Sequence, residues 1–221
     1  MLAAPPPALL ANAVVELIVK GGPIMYPILV VGAFAVCIVL ERIFWWLRFS
    51  AKRKPKLLDQ VYAELEAGQI DKAVTTSANS SDPVVRMIHH GLIHHHSSMQ
   101  GALEVAAGRE LQGAGRFLGA MDTVVTLGPL LGLLGTVTGI MGSFSSIGSS
   151  ELAVEKVTGG IGEALIATAA GLGIAITTLV PMNYFHSRLA KLQFELEAAA
   201  NNVLILAAQH GYDKVGTKAG H

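Results

Sequence analysis

The feature that most constrains this chain is the run from residue 123 to residue 150, which contains no charged side chain. About 20 apolar residues in a helix are enough to cross the hydrocarbon core of a membrane, and this run is longer. Two further runs of this kind cover residues 21–40 and 164–186. Only 14% of the chain is charged, against roughly 25% in a typical soluble domain. The sequence therefore predicts an all-α integral membrane protein with three transmembrane helices.

The apolar runs divide the chain into seven predicted segments. The interval after the first run has helix-like amphipathic stretches at 56–67 and 70–78, and a helix start where Asp82 can cap and Pro83 fits the first position. No cleaved signal peptide is expected, because residues 1–13 lack a basic residue and a long apolar stretch. The predicted segments are an N-terminal periplasmic segment (1–20), the first span (21–47), a helical cytoplasmic domain (48–120), the second span (121–147), a periplasmic loop (148–158), the third span (159–186) and a cytoplasmic C-terminal helix and tail (187–221).

The orientation follows from the basic residues. Fourteen of the 16 lie in 42–120 or 188–221, whereas only Lys20 and Lys156 lie elsewhere. Since loops rich in lysine and arginine stay in the cytoplasm, both basic segments are expected there. In a Gram-negative host the chain is then a multi-pass protein of the inner membrane, with a periplasmic N-terminus. The formal net charge is zero, so nothing in the overall charge favours a nucleic-acid partner.

The second span carries a stripe of glycines. At about 100° per residue the five glycines fall within one arc of roughly 80° on the helix, which allows close approach to another membrane helix. A phosphate-binding reading of the same glycines fails, because the lysine and hydroxyl residue of a P-loop are missing. Neither a cofactor nor a metal ion is expected. The predicted helix-packing residues are Gly128, Gly132, Gly135, Gly139 and Gly142.

Glu163 is the one ionisable residue embedded among the apolar and small residues of the third span. A carboxylate at such a position is expensive unless it faces water or a partner, or takes up a proton, and is a functional candidate by default. On the helical wheel it shares a face with Gly160 and Ala167. The alternative is that Glu163, close to the end of the span, extends its side chain to the membrane surface.

Two threonines form a second candidate pair. Thr168 lies about 140° around the helix from Glu163, so the two do not share a face. If the turn between the spans is centred near residue 153, Thr136 and Thr168 lie at nearly the same depth. Their hydroxyls then meet in the middle of the membrane. The alternative is that each hydroxyl bonds to a carbonyl of its own helix.

Here the sequence resembles a known family. GPLLGLLGTVTGIMGSF (128–144) and GGIGEALIATAAGLGIAI (159–176) resemble the paired signature of the MotA/TolQ/ExbB proton-channel family. The three-span layout, with GGPIMYPIL at 21–29 and LERI at 40–43, is more similar to the ExbB/TolQ branch than to the four-span flagellar stators. By motif position, Glu163, Thr136 and Thr168 match the functional carboxylate and pore-lining hydroxyls of the family.

The resemblance implies a homopentameric ring that surrounds the membrane helix of a smaller ExbD/TolR-like partner. That single-span partner carries the proton-accepting aspartate, and a TonB/TolA-like transducer relays the motion to the outer membrane. The sequence departs from the family after the third-span motif, where Thr177 and Thr178 stand and the proline comes at Pro181. Both threonines lie towards the Glu163 side of the helix and extend the predicted proton pathway.

The resulting hypothesis is a proton-channel subunit, not an enzyme, that converts proton motive force into work on its partner and energises TonB-dependent transport. A Tol-type envelope or gliding motor subunit and a non-conducting scaffold are the alternatives. Membrane lipid and copies of the same chain complete the expected partners. The histidines between His89 and His96 are interpreted as a solvated helix end, and a metal or pH sensor is the alternative.

Overall fold

The computed structural model describes residues 20–145 and 153–212, with the side chains of the last helix described from Val157 onward. The predicted N-terminal segment, most of the loop at 148–158 and the end of the tail therefore lie outside the described residues. Within them the chain forms seven α-helices and no strand, which confirms the all-α prediction. The helices are α1 (Met25–Ala51), α2 (Pro55–Glu66), α3 (Ile70–Ser77), α4 (Pro83–Leu92), α5 (Met99–Ala114), α6 (Leu118–Ser145) and α7 (Ala153–Gln209).

Three helical stretches are long and apolar enough to cross a membrane. They are α1, a stretch that ends with α6 at Ser145, and most of α7. Three membrane spans agree with the three charge-free runs of the sequence. The predicted third span and the predicted C-terminal helix form one continuous helix, because α7 runs without a break to Gln209. Pro181 lies inside this helix, and the residues beyond it are mostly strong helix formers that give no stop signal.

The helices form two compact units. The first contains the chain up to Glu41 together with Phe117–Asn183, and the second contains Arg42–Arg116 together with the chain from Tyr184. The core of the first unit includes Met25 and Ile28 of α1, which pack on Ala167 of α7. Small and apolar side chains thus bring all three membrane helices together in this unit.

The second unit is a small helical domain closed by the last part of α7. Val84 and Val85 of α4 and Leu103 of α5 are fully buried, and so are Leu196 and Val203 of α7. Arg53, just after α1, forms an ion pair with Glu195. The C-terminal helix is therefore part of the hydrophobic core of this domain rather than a free tail.

The start of α4 confirms the predicted cap. Asp82 Oδ1 accepts a hydrogen bond of 2.9 Å from the Val84 amide, and Pro83 occupies the first turn. The other oxygen, Oδ2, accepts a bond of 2.6 Å from the Lys54 amide at the start of α2. Because the Asp82 side chain is buried, one carboxylate fixes two helix starts.

We expect Asp82→Ala to destabilise the protein by about 2 kcal/mol, since it removes a cap and leaves two amides without their acceptor. The midpoint of thermal unfolding of the detergent-purified protein is the measurement. Asp71→Ala is the matched control, because Asp71 is an exposed first-turn acid of α3. Equal midpoints for the two variants would contradict the role given to Asp82.

Candidate functional site

The first unit brings the backbones of α6 and α7 into contact along the glycine stripe. A Cβ atom added at Gly132 would lie 3.0 Å from Thr168 Cα, and one at Gly139 would lie 3.1 Å from the Gly160 carbonyl oxygen. Such distances are tighter than most Cβ contacts in proteins, so a side chain at either position would require the neighbouring backbone to shift by a few tenths of an ångström. The order of these contacts also shows that the two helices run antiparallel.

The other three stripe positions differ from one another. A Cβ atom at Gly128 would lie 2.8 Å from the Gly171 carbonyl oxygen, and one at Gly135 would lie 2.6 Å from Ala167 Cβ. A Cβ atom at Gly142 would meet no atom of the described residues within 4 Å. Four of the five glycines therefore lie in the interface with α7, and Gly142 lies at its edge.

Glu163 and Thr168 stand on opposite edges of the α7 face that contacts α6. The face itself is made of small residues: Gly160, Ala164, Ala167, Gly171 and Ala175. On the helical wheel these lie about 40° to 120° around the helix from Glu163, while Thr168 lies about 140° away. The tight interface separates the two polar side chains. A water molecule or partner group that contacts Glu163 therefore lies on one side of the interface, and one that contacts Thr168 lies on the opposite side.

Glu163 opens into a cavity of about 610 Å³. Its carboxylate forms no hydrogen bond or ion pair with another residue that the structure describes. Two hydroxyl side chains of α6 also line the cavity, and each donates a hydrogen bond to a carbonyl of its own helix. Thr138 donates to the Leu134 carbonyl at 2.9 Å, and Ser143 donates to the Gly139 carbonyl at 2.8 Å. The lining consists of Pro23, Ile24, Thr138, Gly139, Gly142, Ser143, Gly160 and Glu163.

The turn that leads into α1 closes one side of this cavity. Gly22 has a φ of 68°, and its carbonyl accepts a 3.1 Å hydrogen bond from the Met25 amide. A Cβ atom at Gly22 would overlap the Glu163 carboxylate. Glycine is thus required here for two reasons, its left-handed backbone and its lack of a side chain.

The sequence indicates this turn only in part. Gly21, Gly22 and Pro23 are a turn signal, but local sequence does not reveal that the turn lies against Glu163, which belongs to a different span. Ser143 was equally missed. It lies about 60° from Gly128 on the helical wheel, at the edge of the glycine stripe. This position is the sequence signal that could have identified Ser143 as part of the site.

Thr168 and Thr136 form different hydrogen bonds. Thr168 Oγ1 donates across the interface to the Gly132 carbonyl at 2.8 Å, whereas Thr136 Oγ1 donates to the Leu133 carbonyl of its own helix at 2.7 Å. Thr168 therefore lies level with Gly132, one helical turn, or about 6 Å, from Thr136. The equal depth predicted for the two hydroxyls assumed a turn centred near residue 153, but Gly132 and Thr168 are symmetric about residue 150.

We expect Thr168→Val to weaken the contact of α6 with α7 by roughly 0.5–1.5 kcal/mol, the usual range for a hydrogen bond between membrane helices. Thr168→Ser retains the donor and should preserve most of the stability. Thr177→Val is the control, because the Thr177 hydroxyl donates to the Gly173 carbonyl of its own helix. Thermal unfolding in detergent compares the three variants, and a midpoint for Thr168→Val equal to that of the control would refute the cross-helix bond.

Comparison with known proteins decides the family. A family model described as the MotA/TolQ/ExbB proton channel family matches residues 79–198, which is more than half of the 221-residue chain. The chain belongs to this family. The matched region contains the glycine stripe, Thr136, Glu163 and Thr168, so the match covers the tight helix pair and both of its polar edges.

The relatives place the chain in the ExbB branch. An ExbB-like 3 biopolymer transport protein from Synechocystis is 36% identical over 175 residues, which cover 76% of this chain and 82% of the relative. An ExbB homolog from Methanothermobacter thermautotrophicus is 29% identical over 80% of this chain and 64% of its own. The Salmonella typhimurium protein named biopolymer transport protein ExbB is 36% identical over 46% of this chain and 43% of its own.

The last two predicted pathway residues of this ExbB-family chain lie far from Glu163. Thr177 and Thr178 come roughly four turns, or about 21 Å, further along the same helix. Thr178 is buried and donates to the Ile174 carbonyl at 2.7 Å, while Thr177 is exposed and donates within its own helix. Neither lines the Glu163 cavity, so the structure does not bring them together with the carboxylate.

The histidines of the ExbB-like chain surround the end of α4. His89 Nδ1 lies 3.0 Å from Ser77 Oγ, and the rings of His90 and His94 stack with their centroids 4.8 Å apart. Among the residues that the structure describes, no three side chains of His, Cys, Asp or Glu are grouped to hold a metal ion. Of these contacts, the one between His89 and Ser77 joins α4 to α3, and the stack of His90 on His94 lies within the end of α4 and the turn after it.

Proposed function

We propose that this chain is the channel-wall subunit of a proton-driven complex of the inner membrane, which converts proton motive force into mechanical work and energises TonB-dependent outer-membrane transport. Membership of a proton-channel family supports the channel role. The single observation that carries the proposal is the placement of Glu163, an intramembrane carboxylate that opens into a cavity between α6, α7 and the turn before α1. An acid in such a place is typical of proton pathways.

The chain needs a second proton carrier. Thr168 lies further along α7 than Glu163, level with Gly132 of α6 and on the other edge of the helix interface. No carboxylate of α6 or of the described part of α7 within the first unit lies at that level. Hydroxyls can relay a proton through hydrogen bonds but do not gain or lose one at neutral pH. We infer that an aspartate on a single-span ExbD/TolR-like partner, surrounded by a homopentamer of this chain, completes the path with Thr136, Thr168, Thr177 and Thr178.

The direction of proton movement follows from the proposed orientation. The Glu163 end of α7 faces the periplasm, and the second unit, with most of the basic residues, faces the cytoplasm. Protons then enter at Glu163 and leave towards the cytoplasm, down the proton motive force. Motion of the central partner is passed to a TonB/TolA-like transducer.

Reconstitution tests the proposal directly. The chain is purified with the small single-span protein that co-purifies with it, placed in liposomes that contain a pH-sensitive dye, and exposed to an inward proton gradient. We expect proton flux with both proteins, and none when the partner's intramembrane aspartate is replaced by asparagine. An intact complex that conducts no protons under any condition would favour the non-conducting scaffold.

A further inference from the structure

The second unit contains a cavity whose lining includes none of the predicted proton-pathway residues. Its volume is about 720 Å³, and it lies between the last two turns of α1, the loop before α4, and the helices α4 and α5. Four of the side chains that line it are basic: Arg48, Lys52, Arg86 and Arg109. Glu110 is its one acidic lining residue among those described. With neutral histidines, four positive charges and one negative charge give the lining a formal charge of +3.

Most of this positive charge has no counter-charge in the described part of the chain. Arg86 Nη2 lies 2.7 Å from Glu110 Oε2, which offsets one arginine. Arg48, Lys52 and Arg109 are exposed, and none forms an ion pair with a described carboxylate. Three cations around one cavity repel one another, so an anion bound among them would relieve that repulsion.

Neutral groups that form hydrogen bonds complete the lining. Asn79, Ser80 and Ser81 come from the loop before α4, and His90 comes from α4 itself. His90 Nδ1 is buried, and no described residue is its hydrogen-bond partner. A buried polar atom of this kind favours a ligand or water that can bond to it. Cations with hydroxyl and amide groups around them are the groups that bind phosphate oxygens.

The cavity lies at the C-terminal end of α1, a helix long and apolar enough to cross a membrane. Its wall includes Trp45 and Phe49, whose rings stack with centroids 4.8 Å apart. Tryptophan at the end of an apolar helix is typical of the level of the lipid headgroups. Arg48 lies one turn after Trp45 on the same helix, and Lys52 comes directly after the helix ends. Any occupant therefore needs a negative group at headgroup height.

We propose that this cavity binds the phosphate of an anionic phospholipid headgroup, with Arg48, Lys52 and Arg109 as its principal ligands. Basic pockets next to membrane helices on the cytoplasmic side are suited to such headgroups. A free phosphate ion offers the same oxygens, and the position beside Trp45 favours the lipid. The site shares no residue with the Glu163 cavity.

The test uses the full-length protein in nanodiscs of phosphatidylcholine that contain a small fraction of fluorescent phosphatidylglycerol. Energy transfer from protein tryptophans reports phosphatidylglycerol bound near Trp45 and Trp46. We expect the double variant Arg48→Gln/Arg109→Gln to bind phosphatidylglycerol more weakly, by about fivefold for each charge removed. Zwitterionic phosphatidylcholine carrying the same fluorophore should show no such difference.

A matched pair provides the control. Lys52 lines the cavity and Lys56, one turn later and also exposed, does not. We expect Lys52→Gln to weaken binding by about fivefold and Lys56→Gln to have little effect. Unchanged phosphatidylglycerol binding in both the double variant and Lys52→Gln would overturn the proposal.

A competition arm separates the two sources of phosphate. Glycerol 1-phosphate, added at millimolar concentration to the wild-type nanodiscs, should displace little of the lipid if the membrane supplies the ligand. Full displacement in the wild type, with no displacement in the double variant, would show that a phosphate group binds at this site. It would also show that the ligand is a soluble anion rather than a lipid. Displacement that is equal in the wild type and the double variant would contradict the site, because it would arise from ionic strength alone.

Discussion

We expect Glu163→Gln to abolish proton flux and energised transport while the complex still assembles, which is the largest effect that we expect of any single substitution. Glutamine has nearly the volume of glutamate and fills the same space beside Gly22, but it cannot bind and release a proton at neutral pH. The carboxylate has no hydrogen bond or ion pair with another described residue. Its loss should therefore leave the fold of the first unit unchanged.

Dye-loaded liposomes measure the flux, and size-exclusion chromatography with the partner measures assembly. We expect flux at the level of liposomes without protein and an elution profile like that of the wild type. Glu104→Gln is the matched control, since Glu104 is an exposed carboxylate of α5 whose side chain accepts a hydrogen bond from Gln100. Normal flux in Glu163→Gln would show that the proton pathway passes elsewhere.

The three spans and the helices of the second unit could be predicted from the sequence because their signals are local. A membrane helix requires a charge-free run, and amphipathic helices show their period within a few turns. Asp82 and Pro83 mark a helix start without any knowledge of the fold. The burial of the last part of α7 could not be predicted in this way, because the contacts that bury Leu192 and Leu196 in the second unit depend on tertiary packing.

Some residues of the candidate site could be predicted from the sequence, but their arrangement could not. Hydropathy and helical period identify Glu163 and the glycine stripe from the sequence. The relative depth of Thr136 and Thr168 depends on where the connection between α6 and α7 turns, and a small error there shifts one helix by a turn. The hydrogen bond from Thr168 to the Gly132 carbonyl, and the contact of Gly22 with Glu163, join residues that lie far apart in the sequence.

Gly22→Ala should reduce proton flux nearly as strongly as the loss of the carboxylate, although Gly22 is not an ionisable residue. The added methyl group would overlap the Glu163 carboxylate, which must then move to another rotamer. A displacement of about 1 Å can reduce the rate of a positioned functional group by about 100-fold, so we expect a loss of flux of tenfold or more. The same liposome assay measures it.

The matched control is Gly162→Ala, beside Glu163 on α7. An added Cβ atom at Gly162 has no atom of the described residues within 4 Å. We expect near-normal flux in this variant. Equal losses in Gly22→Ala and Gly162→Ala would indicate a general intolerance of the region rather than a specific contact with the carboxylate.

A second change separates the two possible causes of the Gly22→Ala defect. At a φ of 68°, alanine also strains the backbone by about 1–2 kcal/mol, and that strain is the same whatever residue stands at 163. Aspartate is one methylene shorter than glutamate and would withdraw the carboxylate from the added methyl group. If overlap is the cause, the double variant Gly22→Ala/Glu163→Asp conducts better than Gly22→Ala alone; if backbone strain is the cause, the shorter acid restores nothing.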